Sequence, residues 1–201
     1  ANTFAIYSGG GDISIKASSS QTNGIILETG IVIDSGVGSI AINGTSTFSA
    51  GSGHGIEFQN KDSSGFGTKI LSSKTNGTAI SISGTSNSTS TDGAGVSFWD
   101  GWTDNRILVQ AKGAGGNIDI TGTGATGGTL GSDSFGLRIS QTDIFATSTG
   151  TITMNAGSRG TKLNVIASRG TNSVNIGSAS GNVAGTVNFL SDFFVSNADP
   201  V

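Results

Sequence analysis

The run Ile40-Ala41-Ile42-Asn43-Gly44-Thr45 returns 40 residues later as Ile80-Ser81-Ile82-Ser83-Gly84-Thr85, and 38 residues after that as Ile118-Asp119-Ile120-Thr121-Gly122-Thr123. Weaker copies are Ile13-Ser14-Ile15 and Ile152-Thr153-Met154-Asn155-Ala156-Gly157. A repeat of this length points to stacked units, because one such unit cannot bury its apolar side alone. Within each copy apolar and polar residues alternate, the pattern of a strand with one buried face.

Two further runs follow each copy in a constant order. One reads Gly-apolar-x-apolar: Gly24-Ile25-Ile26-Leu27, Gly55-Ile56-Glu57-Phe58, Gly95-Val96-Ser97-Phe98 and Gly136-Leu137-Arg138-Ile139. The other closes the unit: Gly30-Ile31-Val32-Ile33, Lys69-Ile70-Leu71, Arg106-Ile107-Leu108-Val109 and Asp143-Ile144-Phe145. We call the three series faces one, two and three. Thr3-Phe4-Ala5-Ile6-Tyr7 reads as an earlier face three, so the chain begins in mid-coil.

Three short strands per unit, stacked in register, predict an all-β parallel β-helix (a solenoid) of five to six coils, with repeats of 38–40 residues across 1–157. At about 4.8 Å per coil the rod is roughly 25–30 Å long. Its inward columns are Ile40, Ile80 and Ile118; Ile42, Ile82 and Ile120; and Phe58 over Phe98. A glycine at each corner is expected to supply a positive φ. Asn43, Ser83 and Thr121 share one outward position, where they are expected to hydrogen-bond along the rod.

Beyond Met154 the apolar runs come about every ten residues, at Lys162–Ile166, Ser173–Ile176, Thr186–Phe189 and Phe193–Val195. Residues 158–201 therefore read as shorter-period β coils or a transition module. Both ends expose unpaired strand edges, which invite pairing with identical subunits or neighbouring repeats. The rival fold is an antiparallel β-sandwich, which also has many short strands.

Composition excludes several classes. Gly fills 34 of 201 positions, more than twice the ordinary share of about 7%. A Gly inside a helix costs about 1 kcal/mol relative to Ala, so helices are disfavoured throughout. Charged residues are 11% against a usual share of about 25%. Yet hydrophobic residues are 34%, and many are β-branched, which disordered segments lack. Ten Lys and Arg form no cluster, so no nucleic-acid footprint exists. No apolar run reaches the 18 or so residues of a membrane-spanning helix. There is no Cys to form disulfides. No signal peptide is visible and the first residue is not Met, which suggests a processed chain or an excised segment.

Gly116-Asn117-Ile118-Asp119-Ile120-Thr121-Gly122-Thr123-Gly124 and Phe135-Gly136-Leu137-Arg138-Ile139 resemble the β-strand repeats of giant bacterial surface proteins, the filamentous-haemagglutinin-like exoproteins and autotransporter passenger regions. The resemblance covers residues 3–157 and weakens toward Val201. It implies secretion by a bacterium, a right-handed β-helix and an adhesive or matrix role. The family's secretion and anchoring signals are absent from this sequence.

Candidate chemistry is sparse. His54, the single His, lies in Gly51-Ser52-Gly53-His54-Gly55 and reads as an exposed turn residue. Trp99, Asp100, Trp102, Asp104 and Asn105 form the most unusual segment. Its Trp side chains could stack on a sugar ring, and its oxygens could hold Ca²⁺, although the spacing fits no EF-hand loop. Glu57, Asp119, Arg106 and Arg138 are expected on different faces and coils, which argues against a polysaccharide lyase. No cofactor and no catalysis are expected. Asn43-Gly44-Thr45, Asn76-Gly77-Thr78 and Asn87-Ser88-Thr89 match the glycosylation sequon, as chance allows in so Asn- and Thr-rich a chain. Ser88, in a linker, is expected to tolerate a charge.

The expected function is an extracellular structural or adhesive rod: a filament subunit, surface fibre or adhesin shaft. Its partners would be copies of itself, neighbouring repeats, or host or matrix glycans. The alternatives are a carbohydrate-binding or phage tail-fibre-like β-helix, and then a lyase or an ice-binding protein.

Overall fold

The computed structural model describes residues 4–48, 53–60, 67–88, 93–100, 106–125, 134–157, 160–165, 174–177, 185–192 and 194–198. These form eighteen strands and no helix. Face three consists of β1 (Phe4–Tyr7), β4 (Ile31–Asp34), β7 (Lys69–Ser72), β10 (Ile107–Ala111), β13 (Thr142–Phe145) and β16 (Asn175–Gly177). Face one consists of β2 (Ile13–Ser19), β5 (Ile40–Ser46), β8 (Gly77–Ser86), β11 (Gly116–Thr123), β14 (Ile152–Gly157) and β17 (Val187–Ser191). Face two consists of β3 (Ile25–Glu28), β6 (Ile56–Asn60), β9 (Val96–Asp100), β12 (Leu137–Ile139), β15 (Thr161–Val165) and β18 (Phe194–Ala198).

The chain therefore visits three six-stranded sheets in strict rotation, and each strand except those at the sheet edges lies between its counterparts one visit earlier and one visit later. All pairings among the described strands are parallel. That excludes the antiparallel sandwich. Past residue 157 the rotation continues, β15 joining face two, β16 face three, β17 face one and β18 face two. The ten-residue spacing there is one strand per face with short links between.

Register follows the hydrophobic pattern, because a slip by one residue would turn every apolar side chain outward. Ile13, Ile40, Ile80, Ile118 and Ile152 stand opposite one another on face one. Ile42, Ile82, Ile120 and Met154 form the next column. On face two Leu27, Phe58, Phe98 and Ile139 align, and the two Phe rings stack with centroids 4.6 Å apart and planes 11° from parallel. Ile33, Ile70, Val109 and Ile144 line face three. These residues make one core, and Ile40, Ile42, Ile80, Ile82, Ile118, Ile120, Phe58 and Phe98 are all buried. Each large apolar side chain so buried contributes about 1.5–3 kcal/mol.

The expected positive φ is found at several corners, among them Gly30, Gly36, Gly77 and Gly115, but not at the glycines that end the Ile-x-Ile-x-Gly motif (Gly44, Gly84, Gly122) or open face two (Gly24, Gly55, Gly95, Gly136). The role of these motif glycines is steric. A Cβ on Gly44 would lie 2.2 Å from the Gly55 carbonyl oxygen, one on Gly84 2.0 Å from that of Gly95, and one on Gly122 1.9 Å from that of Gly136. So the glycine ending each face-one motif touches the glycine opening the next face-two motif, backbone against backbone. Where Ala156 stands at this place, the chain turns into face two through Gly157 and Gly160, both of which do have positive φ.

Serines continue the inward side of the pleat where the apolar run stops. Ser46 and Ser86, each six residues past the first Ile of its motif, are buried; Ser46 Oγ donates to Thr22 O at 2.7 Å and Ser86 Oγ to Gly53 O at 2.5 Å. At the turn from face three to face one, Ser35 and Ser72 both donate to Gly38 O, at 2.6 and 2.7 Å. Each hydroxyl satisfies a turn carbonyl, and for Gly38 and Gly53 that carbonyl belongs to a buried residue. By contrast, Asn43, Ser83 and Thr121 do align in register, but their side chains make no hydrogen bonds to one another. Ser88 is fully buried, so this position does not suit a charge.

Candidate functional site

Face two carries a group of contacting polar side chains. Strand β6 turns Ile56 and Phe58 inward, which places Glu57 on the outer pleat, yet Glu57 is only 7% exposed. His54 and Asn23 cover it. Asn23 Nδ2 donates to Glu57 Oε2, and Asn23 Oδ1 accepts the His54 backbone N–H at 2.8 Å. His54 Nδ1 accepts the Ala94 N–H at 2.9 Å, which leaves Nε2 as the protonated nitrogen of the neutral ring. That Nε2 lies 3.9 Å from Glu57 Oε1, close enough for electrostatic attraction and too far for a hydrogen bond. His54 is thus buried, at 6% exposure, rather than displayed on a turn. The cluster ties three successive circuits together through Asn23, His54 with Glu57, and Ala94.

Ser97 and Arg138 extend the Glu57 column, one strand and two strands on. Glu57 and Arg138 therefore share a face, while Asp119 lies on face one and Arg106 on face three. Ser97 Oγ is buried without a hydrogen bond, as is Gln59 Oε1. A His, a Glu and a Ser stand near one another here, but nucleophilic catalysis needs the Ser hydroxyl in contact with its base. Ser97 makes no such contact and has no exposure.

Trp99 and Asp100 close β9, opposite Gln59 and Asn60 of β6. Trp102, Asp104 and Asn105 lie outside the described residues. Among the described residues no group of three or more His, Cys, Asp or Glu is placed to hold a metal ion. Nor is any helix among the described residues long and apolar enough to cross a membrane.

A second cluster lies on the outside of face three. Arg106 Nε donates to Asp143 Oδ2 at 2.8 Å and Arg106 Nη2 to Asp143 Oδ1 at 2.6 Å, a two-point pairing. Asn175 Nδ2 donates to the same Oδ1 at 2.8 Å. Three consecutive circuits are joined again. Their side chains are 25% and 17% exposed for Arg106 and Asp143, so the pair is partly shielded from solvent. Replacing Asp143 by Ala is expected to lower stability by about 1 kcal/mol. Urea titration measures it, and an unchanged midpoint would show that the pair contributes nothing.

Asp12, at the turn into face one, accepts the Ser39 backbone N–H and the Ser39 hydroxyl, each at 2.7 Å. Those two bonds hold its carboxyl below the usual range, with a smaller contribution from the Lys74 charge. The stabilisation is present above the ordinary Asp pKa and is lost as pH falls through the lowered one.

No family model, curated protein or solved structure matches this chain.

Proposed function

We propose that the chain is a segment of a right-handed parallel β-helix that serves as a rigid extracellular rod: a filament subunit, surface fibre or adhesin shaft of a bacterium. The observation that carries this reading is the uninterrupted stacking of six strands on every face around one apolar core. Right-handedness is the expected sense for parallel strands joined by crossover connections. Such an object is stiff because each circuit is held to the next by three ladders and by side-chain columns. The polar clusters at Glu57 and Asp143 support the same reading, since each fastens three circuits rather than opening a cleft.

The rod would grow by stacking further circuits, from a longer chain or from other copies. Phe4 and Tyr7 are 63% and 69% exposed on the edge strand β1, and Leu190 is 53% exposed on the edge strand β17 at the other end. Apolar residues on open strand edges suit such continuation. Electron microscopy of the native material, with fibre diffraction, tests the proposal. Thin rods of uniform width with an axial reflection near 4.8 Å are expected. Compact particles without axial order would reject it.

A further inference from the structure

The dipeptide Asn-Gly occurs three times, as Asn23-Gly24, Asn43-Gly44 and Asn76-Gly77. It is chemically vulnerable because the amide nitrogen of a residue without Cβ can approach the preceding side-chain carbonyl carbon. The fold puts the three copies in different surroundings.

Asn23 is 9% exposed, and both ends of its carboxamide are engaged, by Glu57 and by the His54 N–H at 2.8 Å. The Gly24 N–H donates to His54 O at 3.0 Å. Asn43 lies within β5, flanked in register by Lys16 and Ser83, and Gly44 is pressed against Gly55. Neither dipeptide can bend into a ring without parting its ladder. Asn76 differs. It is exposed, in the left-handed region at φ 60°, and Gly77 follows at φ 68° with nothing within 4 Å of where a Cβ would stand. The Asn76 backbone N–H donates to Ala114 O at 3.0 Å, while its carboxamide makes no hydrogen bond among the described residues.

We propose that Asn76 is a self-modification site, where the asparagine converts spontaneously to aspartate and isoaspartate with water as the only co-reactant. The Gly77 nitrogen attacks Asn76 Cγ and forms a new C–N bond. The bond from Cγ to the side-chain nitrogen breaks, and ammonia leaves carrying the proton of the Gly77 N–H. Water then opens the cyclic imide at either carbonyl. Each conversion adds one negative charge at the corner leading into β8, and the isoaspartyl product also adds a methylene to the backbone there. The turn acts as an irreversible marker of the protein's age.

The test is peptide mapping by mass spectrometry on the full chain held at mildly alkaline pH, folded and in denaturant. In the folded protein Asn76 gains the mass of an amide turned to acid. Asn23 and Asn43 convert at least about a hundredfold more slowly, because they must wait for local opening. In denaturant the three convert at similar rates. Folded-state conversion of Asn23 or Asn43 alongside Asn76, or an Asn76 as slow as they are, overturns the proposal. Asn76→Gln, whose longer side chain closes a ring slowly, abolishes the folded-state ammonia release; release at the original rate assigns it elsewhere.

Discussion

Gly84→Ala is expected to destabilise the fold by at least about 3 kcal/mol, at the upper end for added bulk at a packed position. The new methyl carbon would stand 2.0 Å from Gly95 O, 2.7 Å from Gly95 C and 2.8 Å from Val96 Cγ2. Two of those atoms are backbone, and neither strand is free to retreat. Strand β8 is paired with β5 and β11, and β9 with β6 and β12. Gly95 O also accepts the Ile56 N–H at 3.0 Å, so moving it away breaks a buried bond to the previous circuit. Gly11→Ala is the matched control. Its Cβ would meet nothing closer than 4.0 Å, and the change should stay within about 0.5 kcal/mol. Urea midpoints at constant slope give both values. Equal losses from the two substitutions would show that the motif glycine acts through chain flexibility and not through contact.

Ile80→Asp should leave the chain unfolded or strip order from the circuits on either side. Ile80 has no exposure and stands between Ile40 and Ile118. A carboxylate there has no partner, and burying an uncompensated charge costs several kcal/mol out of a typical total near 5–15 kcal/mol. Ile80→Val, which removes one methyl group, should cost only about 0.5–1.5 kcal/mol. Asn87→Asp places the same charge on an exposed residue seven positions along and should be tolerated. Circular dichroism reads the global loss, and hydrogen exchange by mass spectrometry locates it. If Asn87→Asp were as harmful as Ile80→Asp, the assignment of inward and outward positions would be wrong.

Legibility in the sequence divided along a clear line. Strand identity, face and register were readable because period-two alternation forces one side of each strand inward. The Phe58–Phe98 stack follows directly from it. The corner serines were readable by the same rule, since Ser46 and Ser86 simply extend the alternation of Ile40, Ile42, Gly44 and Ile80, Ile82, Gly84. What misled was the assumption that residues between strands are exposed. His54 and Ser88 lie between strands and are buried, because the chain leaves face one and returns to the same corner to begin face two. That return also explains the glycines. Their spacing was visible, but a glycine kept for close approach looks the same in sequence as one kept for a positive φ.

The repeat Ile-x-Ile-x-Gly-Thr, read alone, determined that this chain makes short parallel strands with stacked apolar columns, because hydrophobic period and repeat length are local properties. The tertiary structure alone decided which glycine touches which. It also decided that Asn23, His54 and Glu57 meet across successive circuits, and that one of three identical Asn-Gly pairs is open to ring closure. Those outcomes depend on backbones separated by one circuit of the chain, and proximity of that kind leaves no mark on the residues that share it.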